Sequence, residues 1–199
     1  MTLTERSLNI PVIQRKSTTT TPEKRFVITG GPGSGKSTLL EALVSVGIMH
    51  MPEAGRAIIQ NQVAIEGDAL PWRNREAFAE LMLSWELRSW HEAAEFAGPV
   101  LFDRGVPDVI GYRRVAGLSV PGHVRRAAEQ FRYASTVFVA PPWEAIFAGD
   151  AERKQSFSEA MATWETMVAT YTELGYTLIE LPRVSIDKRV AFVREKLEC

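Results

Sequence analysis

Eight consecutive residues, Gly30-Gly31-Pro32-Gly33-Ser34-Gly35-Lys36-Ser37, fit the pattern G-x-x-x-x-G-K-[ST] at every position. Glycines at these spacings let the backbone turn its N–H groups inward around a phosphate, and a helix that begins near Lys36 points its positive dipole end at the same anion. Gly31, Pro32, Gly33, Ser34, Gly35, Lys36, Ser37 and Thr38 are therefore the expected nucleotide contacts. Lys36 would reach the outer phosphates and the Ser37 hydroxyl would ligate magnesium, so a triphosphate is the implied ligand. The bland alternative is a glycine-rich turn that binds nothing.

Three further groups carry chemistry. Asp103 closes the apolar run Val100-Leu101-Phe102, a place suited to an acid that holds magnesium directly or through water; it also suits a residue that only caps a turn. Arg104 beside it is either a phosphate or substrate clamp or a salt-bridging residue. Glu53, in Met51-Pro52-Glu53-Ala54-Gly55-Arg56, follows a strand-like segment. It either accepts the proton of a substrate hydroxyl or stabilises a helix N-terminus, and Arg56, one turn on, shares its face. Gly149 to Gln155, with Arg153 and Lys154, reads as a lid over the transferring phosphoryl group or as a solvated charge run. His50, His91 and His123 lie far apart and suggest no metal site.

The elements that must position these groups follow from hydrophobic spacing. Strands are expected at 25–29, 48–51, 100–102, 136–140 and 176–181. Helices are expected at 37–44, 53–66, 72–96, 107–116, 122–132, 157–174 and 185–197, the last capped by Ser185. Alternation of strands and helices implies a parallel sheet of about five strands with helices on both faces, an α/β fold. The helix 72–96 carries Trp72, Phe78, Trp85 and Trp90, a stripe read as core bordering the acceptor site. Residues 1–24, with the polar run Ser17 to Pro22, read as a flexible leader and residues 25–199 as one domain.

Composition narrows the function classes. With 23 Lys plus Arg against 24 Asp plus Glu, the net charge of −1 argues against nucleic-acid binding by bulk charge. A local patch at Arg125, Arg126 and Arg132 keeps a nucleic-acid-end kinase as a third reading. The single cysteine, Cys199, rules out an intrachain disulfide and fits a reducing cytoplasm. No run of about 18 apolar residues suggests a membrane span.

Together, the strings Gly30 to Ser37, Pro52 to Ile59, Phe102 to Asp108 and Ala140 to Phe157 resemble the nucleoside and nucleotide kinase branch of P-loop proteins, which includes thymidylate kinase-like and nicotinamide riboside kinase domains. The likeness is nearer still to a bacterial group of small predicted AAA-type ATPases, and it spans about residues 24–197. It implies the P-loop NTPase fold. It also implies that Glu53 is the base, that Asp103-Arg104 is the acid-arginine pair and that Arg153 is a lid arginine. Asn-Lys-x-Asp, a guanine-reading string, does not occur, so ATP with Mg2+ is expected rather than GTP. The expected function is phosphoryl transfer from ATP to a small-molecule acceptor, by a monomer or homodimer. The alternative is a P-loop ATPase acting as a nucleotide-dependent switch.

Overall fold

A computed structural model of the protein describes residues 22–147 and 156–197. The expected leader, except for a single 3-10 turn at Pro22–Lys24, and the expected lid with Arg153 lie outside the described residues.

Five strands form one parallel sheet: β1 (Arg25–Gly30), β2 (Met49–Met51), β3 (Val100–Asp103), β4 (Thr136–Ala140) and β5 (Thr177–Glu180), in the order β2-β3-β1-β4-β5. Among the described residues seven α-helices connect or flank them: α1 (Lys36–Ser45), α2 (Ala54–Ala64), α3 (Arg75–Glu92), α4 (Val106–Val115), α5 (Gly122–Gln130), α6 (Phe157–Glu173) and α7 (Ile186–Lys196). This is the α/β P-loop NTPase fold.

Central strands are buried on both faces, which explains their near-continuous apolar runs. Because successive strand residues face opposite sides, Val27, Phe102 and Val137 pack with α2 to α6, while Ile28, Leu101 and Phe138 pack with Leu39, Leu40, Leu43 and Val193 of α1 and α7. The chain leaves β1 for β2 on one side of the sheet and later passes from β3 to β4 on the other. The carboxyl ends of β1 and β3 therefore flank a crevice of the kind in which open α/β sheets bind ligands.

Two local expectations are corrected. The long helix begins at Arg75 and ends at Glu92, rather than spanning 72–96. Asn74 ends the preceding turn, its Oδ1 accepting the Ala77 N–H at 3.1 Å, so Trp72 sits on that turn. A separate 3-10 turn, Ala93–Glu95, follows the helix. Ser185 occupies the N-cap position of α7 but makes no side-chain cap bond.

Candidate functional site

The phosphate loop runs from the end of β1 to the first turn of α1. Gly33 and Gly35 have φ of 68° and 75°, the left-handed region that side chains other than glycine adopt at a cost. At Gly35, a Cβ would also come within 2.9 Å of Arg189 Nη1 and 3.0 Å of Ile146 Cδ1. Buried Lys36 crosses the loop, its Nζ donating to Gly31 O at 2.9 Å and to Ser34 Oγ at 3.4 Å. Ser37 and Thr38 are exposed on the first turn of α1. From behind, the buried Arg189 of α7 directs Nη1 and Nη2 toward Ser34 O, each at 3.4 Å, and burial lowers its pKa.

Asp103 ends β3 in register with Ile28, one residue before Thr29 and two before the loop. It is 6% exposed, and its Oδ1 has no hydrogen-bond partner among the described residues. Burial pushes its pKa up to about 6, against the pull of Lys36 and with the help of Glu53. An unsatisfied buried carboxylate oxygen close enough to Lys36 to feel its charge fits a hard divalent cation, which takes oxygen donors. Among the described residues no three His, Cys, Asp or Glu side chains form a cage.

Arg104 has a φ of 77°, rare for a residue with a side chain, and its backbone N–H is held by Ile28 O at 3.0 Å. That turn carries its guanidinium inward. Nε donates to Glu53 Oε1 at 3.2 Å, and Nη1 donates to Gly30 O at 2.9 Å and to Asp108 Oδ1 at 3.2 Å. Burial alone would lower its pKa, but Glu53, then Asp108 and Asp103, carry it above the ordinary arginine value. Glu53 occupies the N-cap position of α2 and makes no side-chain cap bond, so its carboxylate serves the ion pair with Arg104 instead.

Asp108, in the first turn of α4, is the hub behind this pair. Its Oδ1 accepts the Thr29 hydroxyl at 2.6 Å as well as Arg104, and its Oδ2 accepts the Tyr171 hydroxyl at 2.6 Å and the Gly105 N–H at 2.9 Å. Strand β1 and helices α4 and α6 therefore meet on one carboxylate. Glu86, on the α3 face that also carries Phe78 and Met82, is 3% exposed. Burial first, then the charges of Asp108, Asp103 and Glu53, push its pKa well above the carboxylate range and favour the neutral acid.

A cavity of about 470 Å³ opens from the phosphate loop along α4. Pro32, Glu53, Arg104 and Asp108 line one end, and Trp72, Arg75 and Tyr112 line the other. Phe78 and Met82 bring α3 to its wall, so the expected border between this helix and an acceptor site is present. Trp85 and Trp90 pack on the core instead. Arg56 is exposed on α2 and is not among the lining residues. Arg132 stacks over Tyr176 at 4.0 Å and donates to Leu174 O at 3.0 Å, a packing role within the patch considered for nucleic acid.

Sequence reasoning singled out Lys36, Glu53, Asp103 and Arg104, and these gather at the carboxyl edge of the sheet. It missed Asp108, Arg189, Glu86 and Tyr112. For Arg189 and Glu86 a signal existed: each is a charged residue within an otherwise apolar helical stripe, Ile186-Val190-Val193 and Phe78-Met82 respectively.

A family model described as an AAA domain, AAA_28, matches residues 25–189. No curated protein sequence matches the chain. Among solved structures, the NadR protein in complex with NR superposes with a TM-score of 0.66 at 16% identity, covering 89% of this chain and 51% of that one. Deoxyadenosine kinase from M. mycoides with bound dATP gives 0.56 at 14% identity, covering 88% and 100%. Thymidylate kinase from Ehrlichia chaffeensis gives 0.56 at 14% identity, covering 89% and 99%. The chain spans about half the length of the NadR protein. Among the described residues no helix is long and apolar enough to cross a membrane.

Proposed function

Because the chain belongs to the AAA_28 family of AAA domains, with the fold of P-loop nucleoside and nucleotide kinases, we propose that it is an ATP- and magnesium-dependent phosphotransferase acting on a small-molecule acceptor. Lys36 and the N–H groups of Gly31 and of residues 33–38 bind the nucleotide phosphates, and Arg189 braces the loop from behind. Ser37 and Asp103 would hold magnesium, which supplies charge neutralisation on the outer phosphates. Glu53 orients the acceptor and takes its proton as the acceptor oxygen bonds to the terminal phosphorus and the bond to ADP breaks. Arg104 holds Glu53 in place, and Arg153 is proposed to add positive charge over the same phosphoryl group.

The observation that carries this reading is the 470 Å³ cavity that meets the phosphate loop at the Glu53–Arg104 pair. A room of small-molecule size beside the phosphate loop suits an acceptor as well as the nucleotide. The net charge of −1 further supports a small acceptor over nucleic acid. The test is ADP release with Mg-ATP, alone and with nucleosides, nucleotides, nicotinamide riboside, sugars and aminoglycosides. A rise of about tenfold or more with one acceptor class supports the reading. A slow rate indifferent to all of them, despite tight ATP binding, favours the switch.

A further inference from the structure

One peptide unit of the phosphate loop is held by a side chain from the far end of the chain. Ser34 O accepts from Arg189 Nη1 and Nη2, each at 3.4 Å, and Gly35 O accepts from Nη1 at 3.5 Å. Gly35 O also takes the Leu39 N–H at 3.2 Å, so the first turn of α1 fixes the following peptide without help. The Ser34–Gly35 peptide has no such helical bond at its oxygen, and there the guanidinium decides the orientation.

That orientation matters because the two ends of a trans peptide point in opposite directions. With Ser34 O drawn back to Arg189, the Gly35 N–H points away from α7, toward the front of the loop where a phosphate sits. Gly35 has a φ of 75°, and glycine adopts either sign of φ about equally well. The peptide before it is therefore free to turn over, which would present a carbonyl oxygen to the phosphate in place of a donor. Gly35 also leaves room for the hold: a Cβ there would come within 2.9 Å of Arg189 Nη1.

Packing alone does not call for an arginine at this place. Arg189 shares a stripe of α7 with Ile186, Val190 and Val193, against Leu39, Leu40 and Leu43 of α1, and is 3% exposed. Burial lowers its pKa, so the charge there works against stability where an apolar side chain would not.

Resting on the reading of the loop as a nucleotide site, we propose that Arg189 is a positioning residue for the nucleotide: it keeps the Ser34–Gly35 peptide turned with its N–H toward the bound polyphosphate, and so makes α7 part of the nucleotide site.

The test uses the full chain and Mg-ATP. Arg189→Met, which keeps the length and loses the donors, should weaken Mg-ATP about tenfold in calorimetry, the loss expected if the competent orientation falls to about one molecule in ten. Arg189→Lys, which keeps a charged donor, should lose about threefold or less. Arg189→Gln, with a shorter and uncharged tip, should follow methionine and takes its place if that variant folds poorly. A second readout separates positioning from general support of the fold. In protein carrying isotope-labelled glycine, the Gly35 amide resonance should shift or broaden in Arg189→Met and sharpen again with saturating Mg-ATP, while Gly117 and Gly175, in the turns after α4 and α6, stay unmoved. An unaltered Kd for Mg-ATP in the methionine and glutamine variants, equal losses in the methionine and lysine variants, or a Gly35 resonance indifferent to the substitution would overturn the proposal. Failure of the broader phosphotransferase reading looks different: Mg-ATP binding depends on Arg189 as described, yet no acceptor receives the phosphoryl group.

Discussion

Arg104 Nε donates to Glu53 Oε1 at 3.2 Å, across 51 residues of sequence, and this contact joins the end of β3 to the start of α2 directly beside the phosphate loop. The pair is partly shielded, with side-chain exposures of 9% and 16%. Glu53 is thus held by an arginine whose own position depends on Gly30 and Asp108, which makes its orientation a property of the sheet edge rather than of a loop.

If Glu53 takes the acceptor proton, Glu53→Gln keeps the hydrogen bond to Arg104 but loses the base. Mg-ATP affinity should stay close to that of the unaltered protein, while acceptor phosphorylation falls by about 10² to 10⁴. Parallel calorimetry and product assays check this. Unchanged turnover would reduce Glu53 to an ion-pair partner.

Lys36→Ala removes a buried ammonium that touches only loop oxygens in the hydrogen bonds described above and contributes no core volume. Mg-ATP affinity should fall by about 100-fold, the scale of a lost charge-assisted contact, with the circular dichroism melt little changed. Retained affinity would remove the loop from the nucleotide site.

Asp108→Ala strands the Thr29 and Tyr171 hydroxyls in the interior and leaves the buried Arg104 charge one of its two carboxylates. Breaking such a buried network should cost about 3 kcal/mol. For a chain of this size that lowers the melting temperature by about 10 °C. Tyr171→Phe removes one hydrogen bond and should cost about 1 kcal/mol. A pair of equal melts would show that Asp108 is not the hub its four donors imply.

Glu86 makes stability depend on pH. Its folded pKa is raised by burial, so between the unfolded carboxylate value and that raised value the folded chain holds a proton that the unfolded chain has lost. Stability from this group is complete below about pH 4.3 and is lost as pH rises through the folded pKa. Glu86→Gln, always neutral and of the same shape, should therefore melt higher than the unaltered protein at pH 8, with the gain shrinking toward pH 5. Melts of both proteins across that range measure it, and a gain that grows toward low pH would contradict the sign.

Much of this architecture is legible in the chain because its signals are local. Gly30 to Ser37 is a contiguous string whose function depends on its own backbone, and the runs Arg25 to Thr29 and Thr136 to Ala140 announce central strands by their apolar, β-branched composition. The start of α3 is less readable, since Trp72 fits the helical period while the Asn74 cap decides the boundary. Asp108, Tyr171 and Arg189 are harder still. Asp108 meets Tyr171 across 63 residues and Arg189 meets Ser34 across 155, so their roles arise only when the sheet closes. Tyr112 lines the cavity with a hydroxyl that lacks a hydrogen-bond partner among the described residues, a property of packing that no spacing encodes.

The central claim concerns where the phosphoryl group goes. Incubating the protein with magnesium and ATP labelled in the terminal phosphate, together with a mixture of nucleosides, nicotinamide riboside, sugars and aminoglycosides, and separating the products answers it in one step. The account predicts label in an organic phosphate monoester, dependent on Lys36 and Glu53. Label found solely in inorganic phosphate, at a rate unaffected by any acceptor, would contradict it.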